Sequence, residues 1–173
     1  YKAIDTAFKN KNKSDDIKFE VIALGGDDIF IIVPAEYCFD ISKNIVKKFD
    51  EEFDNQITMS VGMVISKNST PVASLFNIAQ KSLKNAKKIV KDNNIQEGSI
   101  DVIELIGSMH LGSQLERREF PLVYSDYVVF LDNIRKMKKE NAQLNTQLYK
   151  VDYASKNMTE EEFNLFYYYQ ESK

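Results

Sequence analysis

Residues 19–34, Phe-Glu-Val-Ile-Ala-Leu-Gly-Gly-Asp-Asp-Ile-Phe-Ile-Ile-Val-Pro, constrain the fold of this chain more than any other stretch. A strand-like segment runs into Gly25-Gly26-Asp27-Asp28, and the apolar run Ile29 to Val33 follows at once. Two strand signals joined by a short glycine-containing loop predict a β-hairpin. The chemistry sits at its tip. Asp27 and Asp28 repel one another when both are ionised, and a divalent cation between them removes that repulsion. Hard oxygen ligands suit magnesium or manganese. Gly25 and Gly26 carry no Cβ, so a phosphate has room to approach the backbone amides. The same tetrapeptide also makes an ordinary polar turn, because Gly and Asp are common turn residues. The apolar strands on either side favour a buried hairpin that presents its tip to a site.

The rest of the chain supplies a sheet and helices around this hairpin. Ile29 to Val33 has no polar alternation, which suits a strand in the middle of a sheet with both edges paired. Pro34 ends it, and Ala35 to about Phe53 reads as a helix with Cys38, Ile41, Ile45 and Phe49 at helical spacing. Residues 57–66 alternate and are β-branched, so they predict a strand; Gly62 within it signals a bulge or a close backbone approach. Thr70-Pro71 starts a second helix, running to about Asp92 with an apolar stripe from Val72 through Leu75, Phe76, Ala79, Leu83 and Ala86 to Val90. Residues 100–106 predict another strand. Residues 1–9 read as the end of a helix, and the segment up to Asp16 as a polar connector. The order is that of an α+β layer with helices on one face.

After Gly112 the character changes, and residues 125–139, 143–155 and 159–171 read as three helices. The expected division is therefore a palm-like unit over 1–112 and a helical region over 113–173. Thr159 and Glu162 have the spacing of a capping box. The aromatic cluster from Phe163 to Tyr169 suits docking of a terminal helix, or a stacking platform for bases.

With 173 residues, 43% of them hydrophobic, the chain is long enough for one real core. A net charge of −3 argues against nucleic-acid binding by overall charge, though not against a local basic site. The single cysteine, Cys38, excludes an internal disulfide and suits a reducing cytoplasm. No run approaches membrane-spanning length and no signal peptide is visible, so no membrane partner is expected. The chain starts at Tyr1 inside a helix-like segment and reads as a piece of a longer protein.

In order, these pieces are the GGDD hairpin, the Ser60-Val-Gly62 strand, Pro71, the helix carrying Ala86-Lys87 and the strand at 100–106. Glu119-Phe-Pro121 and the Gln143–Tyr149 segment follow. The set resembles the GGDD palm domain of the large subunit of type III CRISPR effector complexes, a relative of GGDEF diguanylate cyclases and polymerase palms. The resemblance covers most of the chain. It implies a ferredoxin-like palm with an antiparallel sheet, and polymerisation of ATP to cyclic oligoadenylate messengers in antiviral defence. It also implies two divalent ions, Mg²⁺ or Mn²⁺, about 3.5–4 Å apart. Asp27 and Asp28 would be catalytic metal ligands, joined by an acidic residue on an upstream first strand. Gly25 and Gly26 would admit the triphosphate, and Ser60 and Gly62 would line the nucleotide pocket.

Lys87 is placed independently. At about 100° per residue it lies beside the apolar stripe next to Leu83, whereas Lys81 and Lys88 lie on the opposite face. It therefore has a course along the sheet edge toward a phosphate, or simply snorkels from the core margin. Diguanylate cyclase chemistry is disfavoured, because Ile29-Phe30 follows Asp28 where those enzymes have Glu-Phe. The first strand of the palm is missing from this sequence, so the expected partners include an upstream strand of the same protein. ATP, other effector subunits, and guide or target RNA bound through other regions complete the list. Two further readings are a stand-alone signalling cyclase and a degenerate palm that only binds nucleotide or partners.

Overall fold

The computed structural model describes residues 19–25, 28–54, 56–105, 120–140, 150, 153–155 and 157–171. It is a mixed α+β fold. Strands β1 (Glu20–Gly25) and β2 (Asp28–Ile32) form the expected antiparallel hairpin, with a register shift between Val21 and Ala23. Helix α1 (Ala35–Glu52) follows, then β3 (Ser60–Ile65), helix α2 (Val72–Asp92) and β4 (Ser99–Glu104). A two-residue strand, β5 (Leu122–Val123), leads into α3 (Tyr124–Glu140), and α4 spans Glu160–Glu171.

The strands form two sheets: β1–β2, and β3–β4–β5. β3 and β4 are parallel, joined by the α2 crossover, and β5 runs antiparallel to β4. A parallel pair needs such a long connection, and the 21 residues of α2 provide it. The sheet is thus not antiparallel throughout.

The helices do not share one face, in contrast to the sequence expectation. Side chains alternate along a strand, and the two sets face different helices. Gly98, on the Ile100 side of β4, lies against Val46 of α1. Ser99 and Asp101, on the other side, bond to α2. β2 shows the same division. Ile31 and Val33 pack with Met59 on the Ile41–Ile45 cluster of α1, while the Phe30 ring meets Phe76 of α2 edge-on at 5.1 Å. Both helices therefore touch the hairpin and the three-stranded sheet. A crossover to a parallel neighbour puts α2 on the face that α1 leaves open.

The α1 stripe is shifted by one side chain from the expected one. Cys38, Ile41, Ser42, Ile45, Val46 and Asp50 are buried, whereas Phe49 is half-buried and its ring meets that of Phe53, tilted by 39°, at 4.7 Å. Cys38 is a core residue whose thiol donates to the Ala35 carbonyl, and burial pushes its pKa up to about 11. A thiol so placed is a poor nucleophile. Tyr127, fully buried, closes the same side by donating its hydroxyl to the Phe39 carbonyl at 3.1 Å.

Asp50 ties the loops that lead into β3 and β4. Its carboxylate accepts the backbone N–H groups of Met59 (3.3 Å) and Gly98 (3.4 Å). Burial raises its pKa above the ordinary carboxylate value, the two N–H groups oppose that rise, and Glu97 adds to it. A raised folded-state pKa means that the fold favours the protonated acid. The resulting stabilisation is present below the unfolded-state pKa and is lost as pH rises through the folded one. Asp50→Asn is therefore expected to remove this component of the stability–pH curve. Urea unfolding of the full-length protein from about pH 4 to about pH 7 reads it. Parallel curves for the two proteins would contradict this account of Asp50.

The chain divides into two compact units, Tyr1–Val129 and Phe130–Lys173. The expected boundary at 112/113 lies outside the described residues, as does nearly all of the expected 143–155 helix. β5 and the start of α3 belong to the first unit. In the second unit the capping box of α4 is formed. Glu162 accepts the Thr159 N–H at 2.9 Å and its hydroxyl at 3.0 Å, and the Glu162 N–H donates back to that hydroxyl at 3.4 Å. The Thr159 backbone N–H, then its hydroxyl, hold the Glu162 carboxyl below its ordinary pKa. Of the aromatic cluster, Phe163 and Phe166 are half-buried, whereas Tyr167, Tyr168 and Tyr169 are exposed.

Candidate functional site

The hairpin ladder runs to its tip. Gly25, the last residue of β1, pairs with Asp28, the first residue of β2. Gly26 and Asp27, which follow Gly25 in the sequence, lie outside the described residues. Asp28 is exposed.

The described glycines separate into two kinds. A Cβ on Gly62 would meet the backbone of α2, 2.5 Å from the Ala79 oxygen and 2.8 Å from the Leu83 Cα. A Cβ on Gly98 would fall 2.6 Å from the Met59 oxygen. Both glycines are required by packing. A Cβ on Gly25 would have nothing within 4 Å, and its φ lies outside the left-handed region. Neither backbone conformation nor packing within the described fold calls for glycine there. What glycine leaves at Gly25 is open space beside an exposed carboxylate.

The approach signalled by Gly62 is that of α2. Ser60, on the same face of β3, shares a hydrogen bond with Ser99 at 2.9 Å across the parallel pair. Both residues therefore serve the seat of α2, and the face of Gly62 toward α2 is filled.

Lys87 is exposed, as are Lys81, Lys84 and Lys88. Position distinguishes it. Ala86, directly before it, is fully buried and accepts a hydrogen bond from Ser99 at the start of β4. At about 100° per residue, Lys87 lies within about 20° of Phe76 around the helix axis. Phe76 is the residue that meets β2. Lys87 thus shares the hairpin-side flank of α2, whereas Lys88 points about 100° further away. Lys87 makes no ion pair among the described residues.

The polar cluster behind α2 was not legible in the sequence. Asp101 is fully buried, and its carboxylate accepts from Ser82 at 2.9 Å and Asn85 at 3.3 Å. The signal was the small residues: Ser60 and Gly62 on one strand, and Ala79, Ser82 and Ala86 on one helix face, which together allow a close seat.

Among the described residues no group of three or more His, Cys, Asp or Glu side chains is placed to hold a metal. Asp28 contributes one hard oxygen donor at the tip, and its sequence neighbour Asp27 carries a second carboxylate. That donor type fits magnesium or manganese. No described helix is long and apolar enough to cross a membrane.

No curated protein and no solved structure matches the chain. The family model of the second palm domain of Cas10/Cmr2 matches residues 3–96, more than half of the chain, from before the hairpin through β3 and α2. The chain accordingly belongs to the Cas10/Cmr2 second palm domain family, the palm of the type III CRISPR effector large subunit.

Proposed function

We propose that this palm is a metal-dependent nucleotidyltransferase that converts ATP to cyclic oligoadenylate messengers within a type III CRISPR effector. The family supports a nucleotidyl-cyclase or polymerase-like role in CRISPR defence. The observation that carries the finer reading is the hairpin tip. Gly25 is a glycine that the described fold does not require, and it faces open space next to the exposed Asp28. A triphosphate fits such a place, because it needs backbone amides without side chains above them.

Asp27 and Asp28 would hold the divalent ions, and Gly25 and Gly26 would let the triphosphate settle on the turn. Bound Mg²⁺ or Mn²⁺ would supply charge stabilisation and a more acidic ribose hydroxyl. In the transfer, the 3′-oxygen of one nucleotide bonds to the α-phosphorus of the next as the bond to pyrophosphate breaks. Lys87 would steady the phosphates as a point charge. Lys87→Ala in the full-length protein is expected to weaken ATP use about tenfold, and Lys88→Ala to change it little. Equal losses would indicate general surface charge, and no loss from Lys87→Ala would leave it a surface lysine.

The split sheet supports one more element of this reading. Among the described residues, β2 pairs only with β1, and β3 only with β4, so each has a strandless edge. The same two helices cover both strands. Phe19, Val21, Ile22, Leu24 and Ile29 stand exposed on the hairpin. A further strand, from outside the described residues, would pair with these edges and bring a third acidic ligand to the tip.

A further inference from the structure

Asp101 is a fully buried carboxylate in the middle of β4, and the chemistry of the hairpin makes no use of it. Its Oδ2 accepts from the Ser82 hydroxyl at 2.9 Å and from the Asn85 amide at 3.3 Å. The Ser82 hydroxyl also lies 3.0 Å from the Asp101 carbonyl oxygen and 3.5 Å from that of Met63. On the same face of β4, Ser99 donates to the Ala86 carbonyl at 2.8 Å. Ser82, Asn85 and Ala86 span little more than one turn of α2, and all three are bonded to β4.

A buried carboxylate is unfavourable unless it is well hydrogen-bonded. Apolar side chains of the same volume would hold a helix on a sheet as firmly. Hydrogen bonds add direction. An apolar contact lets a helix slide or rotate by a fraction of a turn, whereas these donors and acceptors meet at one height and one rotation. Gly62 removes the remaining slack, because the α2 backbone rests directly on it. The residue that follows the pinned segment is Lys87.

We propose that Asp101 is a positioning residue for Lys87. With Ser82, Asn85 and Ser99 it fixes the height and rotation of α2 on the sheet, and thereby the place where the Lys87 ammonium meets the phosphates of a bound nucleotide. The proposal rests on the assignment of Lys87 as a phosphate clamp. Neither Asp101 nor its partners touch the nucleotide. They act through the helix.

The test is calorimetric titration of the full-length protein with ATP and Mn²⁺, beside its melting temperature. Lys87→Ala is expected to raise the Kd about tenfold. Asp101→Asn keeps the volume but replaces one carboxylate oxygen with an NH2 group, so the charge that draws the Ser82 and Asn85 donors is lost and one orientation of the amide sets a donor against them. It is expected to raise the Kd about three- to tenfold, because a small misplacement of a charged group weakens its contact steeply. Ser99→Ala, which removes one hydroxyl, should act in the same direction and decides the matter where Asp101→Asn does not fold. In the Lys87→Ala background both changes should leave the Kd unaltered. The exchange Asp101→Asn with Asn85→Asp restores a donor–acceptor pair and should bring the Kd back toward wild type. A lower melting temperature with an unchanged Kd for Asp101→Asn and Ser99→Ala would reduce the cluster to a stabilising one and overturn the proposal. Effects that multiply with Lys87→Ala would overturn it as well. An unchanged Kd for Lys87→Ala alone would instead remove the clamp, and the proposal with it.

Discussion

Gly62→Ala is expected to unfold the palm or leave it barely stable, whereas Gly25→Ala should leave the fold intact. At Gly62 the new methyl group meets the backbone of α2 at Ala79 and Leu83, not the end of a flexible side chain. Relief requires the whole helix to lift from β3, which strains the Ser82–Asp101 and Ser99–Ala86 hydrogen bonds together. Overpacking of this kind costs about 3 kcal/mol or more, a large share of the roughly 5–15 kcal/mol that holds a domain together. At Gly25 the methyl group meets nothing within 4 Å. The fold should keep its stability or gain up to about 1 kcal/mol from the stiffer unfolded chain. ATP use should nonetheless fall, because the methyl group occupies the space assigned to the triphosphate. Denaturant unfolding and ATP turnover of the two full-length variants separate these effects. Comparable destabilisation at both positions would contradict the distinction between a packing glycine and an open one.

The hairpin, the limits of α1 and α2 and the capping box at Thr159 were legible because each rests on local chemistry. A glycine-containing turn lies between apolar runs, a proline precedes each of the two helices, and a reciprocal side-chain cap starts the last one. Gly62 was legible as a close approach, but the approaching body was not, because a missing side chain records proximity without identity. Asp101 was not legible for a related reason. In Ser99-Ile-Asp-Val-Ile the alternation shows which residues share a face, and a polar face ordinarily points to water. Here α2 covers it. Ser82, set among the apolar residues of that helix, was the clue, since a hydroxyl on a buried stripe needs a partner. The face that α2 takes is set by the hand of its crossover between the parallel strands β3 and β4, a long-range relation that no local pattern encodes. β5 is two residues long, too short to leave a periodic signal.

We propose nucleotidyl transfer at the Gly25–Asp28 tip. Its most direct test is product formation from ATP by the full-length protein in its effector assembly, with Mg²⁺ or Mn²⁺ present, before and after Asp27→Ala and Asp28→Ala are made together. Asp28 is exposed and makes no ion pair among the described residues, so its replacement should hardly move the unfolding transition. Removing both carboxylates deprives the site of the oxygen donors that would hold the ions, and losses at a transferring phosphate of this kind reach about 10³-fold or more. The wild-type protein should release pyrophosphate and accumulate cyclic adenylate oligomers. The double variant should fold, assemble and yield neither. Oligoadenylate formed at an undiminished rate by the folded double variant would place the chemistry elsewhere and contradict the account.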